Sequence, residues 1–391
     1  MSANISFEDT SVAFSYRSDR DLNKSFLLFS SINNRLLVKL GTNIVKIGFK
    51  IKLPVKGIIR NTIFSQFCGG ESIIDCESTI QKLAEYNVGT ILDFAVEGED
   101  SEEDYDNTVL EILKTIDKAK ANRAIPFSVF KPTGVADIFL LEKLQLNKPL
   151  TKEESKKAES VKQRFFTIAK HAYESEVRLF IDSEDSWIQD PIDALVYDLM
   201  REFNKERAIV FNTYQMYRKK MLENLQQAVA LANGKYIIGA KLVRGAYMEK
   251  ERERAEEQGY EDPIMPDKIA TDNQYNDALK FCVKNVDDIH FCSGSHNESS
   301  NRMLADLIHD NKLDHNDDRI FFAQLYGMSD NITFNLAKAG YNVAKYVPYG
   351  PIESVMPYLF RRAEENTAIA GQSSRELQLI KKELKRRKNS T

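Results

Sequence analysis

The sequence has only four cysteines, Cys68, Cys76, Cys282 and Cys292, and none of them forms a CxxC pair. No histidine stands at zinc-like spacing to them. Neither a disulfide framework nor a structural metal site is expected, and the thiols read as buried in a reducing compartment. An excess of one charge is missing too: 54 Lys and Arg stand against 58 Asp and Glu, a formal net charge of -4. That near balance excludes the strongly basic domain through which bulk nucleic-acid binding works. The N-terminus has no basic stretch followed by an apolar run, as a signal peptide requires. No apolar window approaches the ~18 residues of a membrane span. The expected location is cytoplasmic, at most peripheral to the inner membrane. No GxGxxG follows the first apolar run, which counts against a doubly wound dinucleotide fold.

What is present suits a large α/β domain. The 391 residues, 42% of them hydrophobic, accommodate one large barrel with an added arm, or two medium domains. From residue 88 onward, short apolar, β-branched runs alternate with longer helical patterns. Strands are expected at 90–96, 125–130, 177–181, 208–213, 237–243, 289–292, 320–323 and 343–347. Helical periodicity falls at 154–173, 191–203, 219–232, 268–286 and 298–309. Alternation implies a parallel sheet, and eight units suggest a closed (β/α)8 TIM-type barrel; an open doubly wound sheet is the alternative. Residues 1–70 form a separate N-terminal helical arm, 71–372 the barrel, and 373–391 a basic C-terminal tail. Within the arm, 34–60 mixes apolar residues with Lys and Arg and has almost no acid. It reads as one or two amphipathic helices that pack on the main domain or meet an anionic membrane surface. Cys68-Gly69-Gly70 marks a break. The acidic run 98–106 reads as a solvated loop entering a helix. The tail reads as a frayed, solvated helix end, with a phosphate-rich surface as the alternative.

Each expected strand runs into polar groups at its C-terminal edge, where barrels of this type carry their chemistry. Glu97 follows the first strand, Lys131 the second and Asp182 the third. Gln215 lies past the fourth, Lys241 and Arg244 at the fifth, and Ser295, His296 and Asn297 after the sixth. Gln324 follows the seventh, and Tyr346 lies in the end of the eighth. Any one of these is a strand end meeting water; their convergence on one rim points to a cavity. Past the Gly350-Pro351 break, the last barrel helix sets Tyr358, Arg361, Arg362 and Glu365 on one face. Two guanidinium forks suit a small carboxylate, and a surface ion pair between Arg361 and Glu365 is equally compatible with the spacing. In 241–247 (KLVRGAY) an apolar strand ends in basic and then small residues. That lets backbone approach a flat or phosphate-bearing ligand, or makes an ordinary tight turn.

KLVRGAY at 241–247, FIDSE at 180–184 and YVPYGPIESVMPYLFRRAEEN at 346–366 resemble the signature blocks of the proline dehydrogenase family. LDFAVE at 92–97 and SHNESS at 295–300 follow in the family's order, and the likeness runs from about residue 68 to 367. The resemblance implies a distorted (β/α)8 barrel that binds FAD and oxidises L-proline to 1-pyrroline-5-carboxylate by hydride transfer, passing electrons to a quinone-type acceptor. By position, Asp182 and Lys241 become catalytic. Arg361, Arg362 and Lys131 bind the proline carboxylate, and Glu97 pairs with Arg362. Tyr346, Tyr358, Leu325 and Ala246 pack around the pyrrolidine ring, with the bulk of Tyr346 favouring proline over hydroxyproline. Gln215 and Lys241 reach the isoalloxazine. Val243, Arg244, Gly245 and Ala246 hold the phosphate-bearing part, Lys268 reaches a phosphate, and Ser295, His296 and Asn297 take the adenosine end. Lys241 stands where several bacterial members carry Arg, and 265–268 departs from the pattern of bifunctional members. The length implies the monofunctional form. Two competing expectations are a Schiff-base aldolase using Lys131 or Lys241 and a non-catalytic amino-acid-binding barrel. With a quinone-type acceptor, the basic arm or tail suits peripheral membrane contact; no nucleic-acid partner is expected.

Overall fold

The computed structural model describes residues 5–33, 55–96, 100–368 and 372–390, with the backbone alone for 364–368 and 372–374. Its strands are β1 (Val88–Phe94), β2 (Phe127–Phe130), β3 (Arg178–Ile181), β4 (Val210–Gln215), β5 (Ile238–Val243), β6 (Ile289–Gly294), β7 (Ile320–Leu325) and β8 (Val343–Tyr349). They form a closed barrel in chain order. The expected α/β barrel is therefore the observed one. Strands such as β4 and β8 are buried at every position, because both faces of a parallel sheet are covered, and they bury polar side chains (Asn212, Thr213, Gln215 and Lys345) along with their apolar ones. The helices between them begin on sequence-encoded caps. Thr151 and Glu154 make a reciprocal capping box for Lys152–Glu174. Asp267 and Asn297 cap Lys268–Lys284 and Glu298–Asp310.

The chain divides into two compact units. The first, 98–323, carries β2–β6 and most of β7. Its strands share an aromatic floor: Phe127 stacks on Phe180 with centroids 4.1 Å apart, and the edges of Phe211 and Phe321 meet it at 5.4 and 4.9 Å. Gly239 on β5 makes room for this layer, since a Cβ there would fall 2.2 Å from the Val210 carbonyl and 2.8 Å from the Phe211 ring. Alternate strand residues share a face. The inward positions two residues above Phe180, Phe211 and Gly239 are therefore Asp182, Thr213 and Lys241, with Gln215 and Val243 two further on. In the same unit the acidic run is only partly solvated: Ser101 caps the helix Glu102–Lys120, and Arg164 pairs with Glu102 and Asp106, each at 2.7 Å.

In the second unit, β1 and β8 pair in parallel from Val88 opposite Val343 to Phe94 opposite Tyr349. The Cys68-Gly69-Gly70 break is a close backbone approach: the Gly69 N–H donates to the Pro348 carbonyl at 2.9 Å, and a Cβ on Gly69 would fall 2.5 Å from Val347. The helices Asp19–Ile32, Met356–Ala368 and Gln372–Lys388 contribute Leu22, Phe29, Leu359 and Ile380 to one hydrophobic cluster. The C-terminal segment is thus no frayed, solvated end. Glu376, Leu377, Leu379, Ile380 and Glu383 are buried, and Arg386 and Arg387 both pair with Glu383 at 2.8 Å. An apolar stripe one helical turn apart faces the cluster and part of the basic charge is paired. Most of the expected amphipathic stretch 34–60 lies outside the described residues. No helix among the described residues is long and apolar enough to cross a membrane. The four cysteines are free thiols, all buried.

Candidate active site

Within 98–323, the rim residues stand where the strands stop. Lys131 and Asp182 directly follow β2 and β3, and Gln215 ends β4. The Lys241 ammonium and the Asp182 carboxylate form an ion pair at 7% and 16% side-chain exposure. Lys241 lies over the Phe180 ring, 5.2 Å from its centroid, so the aromatic floor supports the pair. Its register neighbours are Thr213 on β4 and Cys292 on β6. The Thr213 hydroxyl donates to the Ile181 carbonyl at 2.8 Å, tying β4 to the strand that delivers Asp182. Burial pushes the Cys292 thiol up to about 12 against the pull of Lys241, so it stays protonated and unreactive near neutral pH. Gln215 is 2% exposed, and its Oε1 has no hydrogen-bond partner among the described residues. A buried amide oxygen without a donor is expensive to keep, and it suits a ligand that brings a ring N–H.

Past Val243 the backbone pairing continues, with Met216 and Tyr217 N–H groups donating to the Val243 and Arg244 carbonyls at 2.7 Å. Gly245 then adopts φ +127, and a Cβ there would sit 2.4 Å from the Tyr217 ring, so only glycine fits. Arg244 is held on every side. Its Nε donates to Asp272 at 2.6 Å, Nη1 to Ser295 Oγ at 2.8 Å and Nη2 to Ser300 Oγ at 2.9 Å, and its plane stacks 4.2 Å over Tyr275. Burial alone would raise the Asp272 carboxyl, but Lys268 and Arg244 hold it below its ordinary value. The Ser295 hydroxyl also accepts the Asn297 N–H at 3.1 Å, and Asn297 Oδ1 accepts the Ser300 N–H at 3.0 Å. Ser295, Asn297 and Arg244 therefore form one cluster at the start of the helix Glu298–Asp310, with His296 half-buried beside them. Ala246 is exposed, and Lys268 is exposed and engaged with Asp272. Asp272, Tyr275 and Ser300 were not among the expected site residues; the need of a half-buried arginine for a counter-ion was the signal that could have found Asp272.

In the second unit Leu325 ends β7 and Tyr346 lies within β8, joined through the Tyr326 N–H, which donates to the Tyr346 carbonyl at 2.9 Å. Gln324 accepts from the Thr333 hydroxyl at 2.8 Å. The paired arginines differ: Arg362 is 8% exposed with its guanidinium 5.2 Å from the ring centre of buried Tyr358, whereas Arg361 is half-buried. Glu97 and the side chains of Glu365 and Asn366 lie outside the described residues, and with them the expected Glu97–Arg362 and Arg361–Glu365 pairs.

A closed parallel barrel whose strand ends carry a buried ion pair, a three-way-held arginine and an open buried amide is the framework of a TIM-type barrel enzyme. A family model described as proline dehydrogenase matches residues 76–375. Proline dehydrogenase 1, mitochondrial, of Dictyostelium discoideum is 32% identical over 97% of this chain and 74% of its own length. The protein of the same name from Homo sapiens is 42% identical over 61% of this chain, a stretch that spans 40% of the human protein. Among solved structures, proline utilization A from Bdellovibrio bacteriovorus, inactivated by N-propargylglycine, shares the fold with a TM-score of 0.72 at 18% identity. That likeness covers 92% of this chain and 39% of the other. The chain belongs to the proline dehydrogenase family. Its reaction is the oxidation of proline in proline catabolism, and a flavin is the cofactor of the family.

Proposed function

We propose that the chain oxidises L-proline to 1-pyrroline-5-carboxylate with FAD as its flavin, and that the electrons leave to a quinone-type acceptor. The observation that carries the cofactor reading is the buried Gln215 Oε1, without a hydrogen-bond partner among the described residues, beside the backbone of 243–245, where only glycine fits at 245. These residues fit a flat heterocycle with a phosphate-bearing tail. When bound, FAD supplies the acceptor for the hydride leaving the ring carbon next to the proline nitrogen. Gln215 and Lys241 meet the ring system. Val243, Arg244, Gly245, Ala246 and Lys268 hold the phosphate-bearing part, and Ser295, His296 and Asn297 the adenosine end.

On the substrate side, Arg361, Arg362 and Lys131 bind the carboxylate, and Glu97 pairs with Arg362. Tyr346, Tyr358, Leu325 and Ala246 enclose the pyrrolidine ring. A carboxylate gripped by cations fixes the reacting carbon at close range. Asp182 engages the Lys241 ammonium, so a fixed positive charge stands ready to favour negative charge that develops beside it. The same ion pair speaks against Lys241 as the nucleophile of a Schiff-base aldolase, because an ammonium engaged by a carboxylate has no lone pair to attack a carbonyl.

The division into arm (1–70), barrel (71–372) and tail (373–391) belongs to this proposal, with peripheral membrane contact through the arm or tail serving the quinone step. So does the cytoplasmic, membrane-peripheral location, beside relatives whose names place them in mitochondria. The deciding experiment is an absorbance spectrum of the protein loaded with FAD. Flavin bands that bleach on anaerobic addition of proline are expected. Bands that persist in saturating proline would refute the activity, and the lack of any flavin band would refute the cofactor.

A further inference from the structure

The turn that joins β7 to the helix Asp330–Lys338 is held by buried ions. Lys345 on β8 is fully buried at 0% side-chain exposure, and its ammonium meets Asp330 Oδ1 at 3.0 Å, the Leu325 carbonyl at 3.4 Å and the Met328 carbonyl. Two of the ammonium's three donors go to the Leu325 and Met328 carbonyls, and Asp330 pairs with its charge. The rest of the turn is fastened as well. The Tyr326 N–H donates to the Tyr346 carbonyl at 2.9 Å, and Gln66 Nε2 donates to the Gly327 carbonyl at 2.7 Å. Glu376, from the helix Gln372–Lys388, accepts the Ser329 N–H. Behind Lys345, Asp330 also accepts from the Tyr16 hydroxyl at 2.7 Å and pairs with Arg17 at 3.0 Å.

Stability alone does not account for this arrangement. Turns ordinarily satisfy their peptide groups with water. Buried ion pairs carry a desolvation penalty large enough that apolar replacements are often neutral or better. What the buried ions do fix is direction. Strand residues alternate between faces, so Lys345 grips β8 on the face opposite Tyr346 while drawing in the carbonyl of Leu325. We propose that Lys345, locked by Asp330, is a positioning residue that sets Leu325 and Tyr346 as a rigid wall for the substrate ring, and that Glu376 ties the C-terminal helix into the same lock. This inference rests on the reading of Leu325 and Tyr346 as walls of the proline pocket.

Lys345→Met in the flavin-loaded full chain tests it, with Leu325→Ala as the reference. The expected result for Lys345→Met is a KM for proline raised by about five-fold or more with kcat little changed. The kcat/KM preference for proline over trans-4-hydroxyproline should fall alongside. A merely structural defect lowers the active fraction, and so kcat, at constant KM. A Leu325→Ala variant with wild-type KM and preference would remove the wall reading, and the inference with it. Leu325→Ala with raised KM beside Lys345→Met with wild-type KM and preference would overturn the positioning role alone. If Lys345→Met does not retain flavin, Glu376→Ala, which deletes the acceptor of the Ser329 N–H and leaves Lys345 in place, is judged on the same two readouts.

Discussion

Replacing Arg362 by lysine keeps the charge and removes the planar fork. Arg362 is the more buried of the paired arginines, at 8% exposure, and lies against Tyr358 with 5.2 Å between guanidinium carbon and ring centre. A lysine ammonium in its place offers point-charge attraction but cannot make two parallel hydrogen bonds to a carboxylate. One charge-assisted hydrogen bond is worth about 1.5–3 kcal/mol. At about 1.4 kcal/mol per decade, KM for proline should rise roughly ten- to hundred-fold. The carboxylate is not the reacting group, so the contact is made equally in ground and transition states and kcat should change little. Half-buried Arg361 should show the same pattern with a smaller rise. The assay is steady-state oxidation of proline and of pyrrolidine, which lacks the carboxylate. If Arg362→Lys weakened both substrates equally, the guanidinium would not be reading the carboxylate and the assignment would fall.

Asp182→Ala should lower kcat as well as raising KM, because it removes the carboxylate that fixes Lys241. A lost charge-assisted contact of about 1.5–3 kcal/mol corresponds to roughly ten- to hundred-fold in the rate of flavin reduction. A stopped-flow rate equal to wild type would contradict this role. Glu376→Gln should change how stability depends on pH. Burial raises the Glu376 carboxyl from 4.5 to about 7, with Asp330 adding to the rise and the Ser329 N–H, Lys345 and Arg17 opposing it. The folded chain therefore keeps a proton that the unfolded chain releases between those values. Its contribution is fully present below pH 4.5 and is lost as pH rises through 7, by about 3 kcal/mol at most. Glutamine imitates the protonated form, so the difference in Tm between variant and wild type should grow from pH 5 to 8. A difference that stays flat over that range would refute the assignment.

The strands were legible because a barrel strand buried on both faces keeps its apolar, β-branched character whatever its partners. Their ends were less so. The apolar Ala95 and Val96 extended the expected first strand, yet β1 stops at Phe94, opposite the last residue of β8. Conversely β4 was expected to end at Thr213. It runs on to Gln215 because these polar side chains face the barrel interior. The candidate site was legible where residues sit at strand ends, since position alone marks them. The groups that hold those residues were not. Asp272 and Tyr275 reach Arg244 from a helix that begins 24 residues later in the chain, at Lys268. The basic C-terminal segment was misjudged because its charge dominates its composition, while the register that turns Glu376 and Glu383 inward is visible only against the N-terminal helices.

Two turns at strand ends share a construction that sequence alone does not display. After β2, Lys131 leads into a 3-10 turn, Pro132–Gly134, and the buried Glu184 carboxylate accepts both the Thr133 N–H at 2.8 Å and the Thr133 hydroxyl at 2.6 Å. Burial raises the Glu184 carboxyl, with Thr133 and Lys131 pulling it down, and Gln189 accepts the Glu184 N–H at 3.2 Å. After β7, the turn that begins at Leu325 is held by the buried ammonium of Lys345. In one case a buried acid collects donors, in the other a buried base collects carbonyls. Both turns could have met water at no desolvation cost. Each instead presents a residue that the proposed function places on the substrate side, Lys131 after β2 and Leu325 at the end of β7. Misplacement of about 1 Å at such residues can slow turnover a hundred-fold. A modest loss of stability from burying an ion is a smaller penalty than that, and this inequality accounts for charged groups placed beneath turns where packing alone would have used leucine.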